Sequence, residues 1–279
     1  MERKYTGIIL SKYDTGEADR IYTAYTLEMG KIKSIAQGVR KPQAKLAGHL
    51  ENFVLADLTV IKKRGTGRIT GSIVENNFNN LRNNLEALEY ALKASDIFNN
   101  LVGMEERDEK IFNLLKQFLE TLDKVSKDKK DNGEVLFYGF VFKLLEFLGY
   151  KLEVGACVNC TSPLSSEGNY FSAEKGGVVC KNCSPKIRNE APQSYTHGSY
   201  SFPSGAKSAE AKDNVSHLST ISRSWSSAKA DKIEIDNNAI KIIRIFSHNE
   251  VASLTKLKAG KKELDNIKDV LNNFLSWIA

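Results

Sequence analysis

The chain has 279 residues, 41% of them hydrophobic, and a net charge of +6, so it can bury a core and is expected to divide into two or three units. Its most apolar uncharged run, Val135 to Phe142, spans eight residues, far below the about 20 that a membrane-crossing helix needs. The opening Met1-Glu2-Arg3-Lys4-Tyr5 lacks signal-peptide character, so a cytoplasmic protein without membrane association is expected.

Residues 1 to 78 read as short strands. Tyr5 to Leu10, Ile21 to Leu27 and Lys31 to Ala36 are separated by polar and glycine-containing turns, and a basic connection after Gly38 leads to Val54–Lys62 and Arg68–Asn77. Five strands in about 80 residues, with a long connection after the third, predict a small Greek-key barrel; the OB-fold is the common one, and an SH3-like barrel has a similar pattern. This segment also holds the excess charge, with thirteen Lys and Arg against eight Asp and Glu, while residues 79 to 279 hold 27 against 26. Such a concentration of cations predicts a polyanionic partner, because Lys and Arg gain affinity by displacing counterions from phosphates.

The hydrophobic period then becomes helical. Leu81, Leu85, Leu88 and Leu92 form one predicted stripe, and Ile111, Leu115, Phe118, Leu122 and Val125 another. A third helix over Glu134–Leu148 is apolar around most of its circumference and is expected at the centre of a bundle. Ser194–Ala230 is serine-rich and reads either as poorly packed helix or as partly disordered chain, while Leu264, Ile267, Leu271, Phe274 and Ile278 mark a closing helix.

All four cysteines fall in two Cys-x-x-Cys pairs, Cys157/Cys160 and Cys180/Cys183, separated by nineteen residues. Each pair aims two thiolates at one point, and two pairs complete the tetrahedron of a closed, structural Zn²⁺ site with one ion and no open position for water. His49, His197, His217 and His248 are not needed as ligands. There is no Gly-x-x-x-x-Gly-Lys-Ser/Thr loop, no His-Glu-x-x-His and no Gly-x-Ser-x-Gly, and acids such as Glu105-Glu106 read as solvated, so no catalytic residue is expected. The expected class is α+β: a five-stranded OB-fold barrel (1–79), helices (80–150), a Cys₄ zinc knuckle inserted at 151–190, and the rest of the helical domain (191–279).

Several segments resemble the RecO family of DNA repair and recombination mediators. These are Gly7-Ile8-Ile9-Leu10, Gly16-Glu17-Ala18-Asp19-Arg20-Ile21, Gly30-Lys31, Gly38-Val39-Arg40-Lys41, the helix around Leu85–Phe98, Phe112-Asn113-Leu114-Leu115, Phe147-Leu148-Gly149-Tyr150, and the cysteine pairs with Gly176-Gly177 before Cys180. The likeness covers about residues 1 to 185 and fades beyond 190. It implies a non-enzymatic, nucleoid-associated protein that binds single- and double-stranded DNA and anneals complementary strands. With RecR, such a protein helps load a RecA-type recombinase onto DNA coated by single-strand-binding protein. The resemblance places contact with the acidic, hydrophobic C-terminal tail of that protein in the helical domain.

Annealing needs cations that neutralise phosphates while base edges stay free. The candidates are Lys12 and Arg20 flanking the first loop, Lys31 and Lys33 on one face of the third strand, Arg40, Lys41 and Lys45 in the long connection, and Lys62, Lys63, Arg64 and Arg68 around the last hairpin. Arg40 and Lys41 match the family's basic motif. Arg20 has an equal reading as the ion-pair partner of a nearby acid, and Tyr13, Tyr22 and Tyr25 read as packed more readily than as base-stacking. Two rival functions are an OB-fold adaptor that binds RNA in transcription or translation, and a metal-dependent nuclease, for which no carboxylate cluster is found.

Overall fold

The computed structural model describes residues 2–62, 66–128, 132–186 and 232–278. Strands β1 (Glu2–Thr15), β2 (Asp19–Thr26), β3 (Gly30–Ala36), β4 (Leu55–Ile61) and β5 (Gly67–Asn76) close a barrel in the order β1-β2-β3-β5-β4. The long first strand pairs with β4 through its first half and with β2 through its second, and a bulge between Ile9 and Ser11 bends it between the two. Only β3 and β5 run parallel, joined at Ser34–Gly67 and Ile35–Arg68. This circuit is the OB topology, which separates the fold from an SH3-like barrel.

Tyr5, Ile9, Tyr22, Ala24, Ile32, Leu58, Val60 and Ile69 fill the barrel interior. Ile8 and Leu10 are equally buried but lie on the opposite face of β1, and this explains why Gly7-Ile8-Ile9-Leu10 is a continuous apolar run where a one-sided strand would alternate. Helix α2 covers that outer face, and the Ser95 hydroxyl donates to the Leu10 carbonyl at 3.0 Å.

A short turn of helix, α1 (Asn79–Arg82), leads to α2 (Leu85–Leu101), α3 (Glu109–Lys127) and α4 (Gly133–Phe147). Asn84 and Asp108 cap the starts of α2 and α3, accepting from backbone N–H groups of Ala87 and of Lys110 and Ile111. The predicted stripe of α3 is wholly buried. That of α2 is not: Leu85 is 84% exposed and Leu92 is exposed, whereas Ala87, Ala91, Ala94 and Phe98 face inward. Alanines on the packed face let the helix axis approach the barrel and bundle closely, so small residues, not the leucines, mark the interface. Helix α4 packs against α2 and α3, and its Phe140 stacks on Phe118 with centroids 4.5 Å apart.

The chain divides into two compact units. The first, residues 1–152 with 238–265, unites the barrel and the bundle, including most of α5 (Asn237–His248). The second, residues 153–237 with 266–279, holds a three-stranded sheet in the order β7-β6-β8, formed by β6 (Asn169–Ser172), β7 (Gly177–Val179) and β8 (Ile233–Ile235). It also holds the end of α6 (Lys261–Ile278), where Phe274 packs edge-on against Phe171. The predicted closing helix is α6; the serine-rich 194–230 segment lies outside the described residues. No helix among the described residues is long and apolar enough to cross a membrane.

Candidate functional site

The four cysteines sit on two turns. In the first, Thr161 N–H returns to the Cys157 carbonyl at 2.8 Å; in the second, which follows β7, Cys183 and Ser184 N–H both return to the Cys180 carbonyl at 3.0 Å. All four sulfurs lie within 4.8 Å of one another, and Cys160 Sγ is 3.8 Å from Cys180 Sγ. A tetrahedron with metal–sulfur bonds of about 2.3 Å has edges of about 3.8 Å, so the residues fit a four-coordinate metal ion. Burial opposes ionisation of Cys157, but N–H groups of Cys180, Asn159 and Cys160 outweigh it and lower its pKa. Ser162 holds Cys160 down at about 6. The Asn159 side chain favours the Cys183 thiolate, but Cys160, burial, Cys180 and Cys157 outweigh it and push the thiol up to about 11.

On the barrel, two loops meet. Asp19 Oδ1 accepts from Gly38 N–H at 2.7 Å, Arg40 N–H donates to the Ala18 carbonyl at 2.9 Å, and Arg40 Nη1 donates to the Glu17 carbonyl at 3.3 Å. The Gly16–Arg20 hairpin is thereby clasped to the 38–41 loop. Arg20 and Arg40 converge on Asp14, with Nε–O distances of 2.6 and 3.2 Å. Lys41 and Lys45 are exposed on the same connection.

Of the other predicted cations, Lys12 lies two residues before Asp14 on β1. Lys12 pairs with Glu51. Lys33 is exposed, and together with Arg3 and Lys62 it lines a cleft that also contains Tyr5 and Ser34. Lys62 pairs with Glu105 at 2.6 Å, and Arg68 donates to Gln37 Oε1 at 2.9 Å. Lys63 and Arg64 lie outside the described residues. Arg3 and Asp14 were not among the predicted residues; cross-strand registers place them here, Arg3 opposite Val60 and Asp14 opposite Arg20.

Lys31 must be removed from the predicted surface. It points to the same side of β3 as Lys33, but that side is roofed by the end of α2, leaving Lys31 6% exposed. Its ammonium donates to the Asn99 carbonyl at 2.7 Å and to the Val102 carbonyl. Burial lowers its pKa, and the helix end and two carbonyls hold its charge where they need a donor. Gly30 beside it has φ +70°, and a Cβ there would meet the Glu106 carbonyl oxygen at 2.0 Å, so this Gly-Lys pair joins barrel to bundle.

The tyrosines separate likewise. Tyr25 is fully buried against Phe98 and Phe112, and its phenol, pushed up to about 12 by burial, donates to the Glu106 and Asp108 carbonyls at 3.3 Å. Tyr22 is buried in the barrel, whereas Tyr13 is 45% exposed next to Lys12.

The N-terminal model of the family, described as recombination protein O N terminal, matches residues 1–78, and the C-terminal model, recombination protein O C terminal, matches 82–200. A protein named DNA repair protein RecO from Dehalococcoides mccartyi is 35% identical over 265 residues, 95% of this chain and 86% of its own length. The chain belongs to the RecO family. Proteins of the same name from Acetivibrio thermocellus and Halalkalibacterium halodurans are 28% and 30% identical over 82% and 67% of the chain, and 92% and 70% of their own lengths. Membership places the chain in DNA repair and recombination. Within it, the Gly16–Arg20 and Gly38–Lys41 motifs form one clasp, and Gly30-Lys31 is a structural joint.

Proposed function

We propose that the chain is a recombination mediator that performs no bond chemistry. It binds single- and double-stranded DNA on its OB barrel, anneals complementary strands, and with RecR helps load a RecA-type recombinase onto DNA coated by single-strand-binding protein. The observation that carries this reading is the clasp, which brings Arg20 and Arg40 together, with the exposed Lys41 and Lys45 on the same connection, on a barrel in a protein of this family. Ion pairs at Lys12, Arg20, Arg40 and Lys62 do not neutralise these cations permanently. These partly exposed pairs are each worth about 0–1 kcal/mol, so a phosphate chain can compete for the cations. Of the three candidate tyrosines on the barrel, the exposed Tyr13 can stack on a base.

The four thiolates hold one Zn²⁺ in a structural role, since a closed site leaves no position for substrate. Single-strand-binding protein is met at a shallow apolar pocket of the bundle. Phe147, 38% exposed, offers apolar surface there above the buried Leu114 and Val251, and the exposed Lys110 can face an acidic tail, while Lys143 is held by Glu146 and the Ser247 carbonyl and Glu250 also lines the pocket.

The test is titration of a single-stranded oligonucleotide at several salt concentrations. With about five phosphates engaged, log affinity should fall against log salt with a slope of roughly −3.5, and a variant with Arg40, Lys41 and Lys45 all changed to alanine should lose about 2 of that slope. Normal DNA binding by the triple variant removes the site. Tight RNA binding without annealing of oligonucleotides precoated with single-strand-binding protein would replace the mediator by the RNA adaptor.

A further inference from the structure

Asp14 presents one carboxylate oxygen to each of two guanidinium groups, Oδ1 at 2.6 Å from Arg20 Nε and Oδ2 at 3.2 Å from Arg40 Nε. Neither arginine is free to drift. Arg20 is fixed in the β1–β2 ladder opposite Asp14, and Arg40 is tied through its backbone to Ala18 and through Nη1 to the Glu17 carbonyl. A second pair, Lys12 and Glu51, lies against the same end of the barrel: Lys12 is opposite Tyr22 in the ladder, and Asp14 is opposite Arg20 two residues on. Beneath them the Tyr22 ring is buried, with its hydroxyl toward Arg20 and near Glu51 and Asp14.

This arrangement is what a phosphodiester would need, two guanidiniums each facing one oxygen of a single anion, with a further ammonium beside them. We propose that Asp14 is a resident stand-in for phosphate: it keeps Arg20 and Arg40 converged in the free chain, and the backbone phosphate of a bound strand displaces it. The proposal rests on the reading of the barrel as the DNA-binding module and adds to it a built-in competitor. Hydrogen bonding from Arg20, followed by the charges of Arg20, Arg40 and Lys12, lowers the Asp14 pKa, so the competitor is ionised at neutral pH. The carboxylate remains half-exposed, and pairs of this kind break readily. Exchange of one anion for another keeps the arginines ordered while holding affinity low enough for the strand to be handed on.

The competitor has a signature that a purely structural aspartate lacks. In D14N no resident anion has to be displaced from Arg20 and Arg40. Single-stranded oligonucleotide should then bind about three- to tenfold more tightly at low salt. Asp14→Glu, which keeps the charge, should restore the original affinity. If Asp14 served only to hold the arginines, D14N would bind equally or more weakly, and that result overturns the proposal. Circular dichroism melting of both variants checks that the fold is intact. Should the unaltered chain fail to bind the oligonucleotide, the barrel reading falls and the exchange site with it; should it bind while D14N gains no affinity, only the exchange site falls.

Discussion

Replacing Lys31 by methionine preserves most of the side-chain volume and removes one charge and its donors. In the native chain the ammonium serves the Asn99 and Val102 carbonyls at the end of α2. A buried carbonyl left without a donor costs about 1–3 kcal/mol, and a cation lost from a helix C-terminus another 0.3–1 or so. Relief of the lysine's own desolvation, which already lowers its pKa, offsets part of this. A net loss of about 3 kcal/mol is therefore expected. In a unit of the size of residues 1–152 with 238–265, each kcal/mol shifts the midpoint by about 2–4 °C, so K31M should melt about 6–12 °C lower. Differential scanning calorimetry measures the shift, and oligonucleotide binding well below the midpoint should match the unaltered chain. A variant with normal melting and weakened DNA binding would refute the reasoning, because Lys31 would then be a surface cation and not a joint.

Metal analysis of the purified chain should give one zinc per chain, with X-ray absorption placing four sulfurs at about 2.3 Å; Cys160→Ser or exhaustive chelation should unfold the knuckle, seen as early proteolysis within residues 153–186. Asp96 is half-buried on α2, and burial alone raises its pKa. Its ionised form is disfavoured in the folded state, so Asp96→Asn should raise the melting temperature at pH 7, and the gain should shrink once pH falls below the raised pKa and be gone below the ordinary value of 3.8, where both states hold the proton. A gain that grows on acidification would contradict this. Phe147→Ala should weaken binding of an acidic, hydrophobic tail peptide of single-strand-binding protein about tenfold in fluorescence anisotropy and leave oligonucleotide binding unchanged; an unaffected peptide titration would move the tail to another surface.

The barrel was legible because its signals are local: alternation, turn glycines and a long basic connection. OB and SH3-like arrangements differ in which distant strands meet, and the parallel contact of Gly67 with Ser34 leaves no mark in either segment. The cysteine centre was legible for the same reason, since each Cys-x-x-Cys turn is self-contained. Strands β6, β7 and β8 escaped notice because they are three or four residues long and β8 joins from more than 50 residues beyond β7. On α2 the pattern misled, for leucines count as core in any hydropathy scheme while the packed face is alanine. Lys31 and Lys33 are indistinguishable by alternation, and only the end of a helix about 70 residues away buries the first. The acids that meet Lys12 and Lys62 are likewise remote, Glu51 and Glu105, so charge counting located the cations and missed their neighbours.

Because β1 is covered on both sides, the division between the two family models, after residue 78, is not a place where this protein can be cut. A fragment carrying only the barrel would turn Ile8, Leu10 and the Tyr25 ring out to water and strand the Lys31 ammonium without its carbonyls. Such a fragment would be sticky in its own right, and any nucleic acid it retained in a pull-down would say little about the intact molecule. Work on isolated function therefore belongs on point variants of the whole chain.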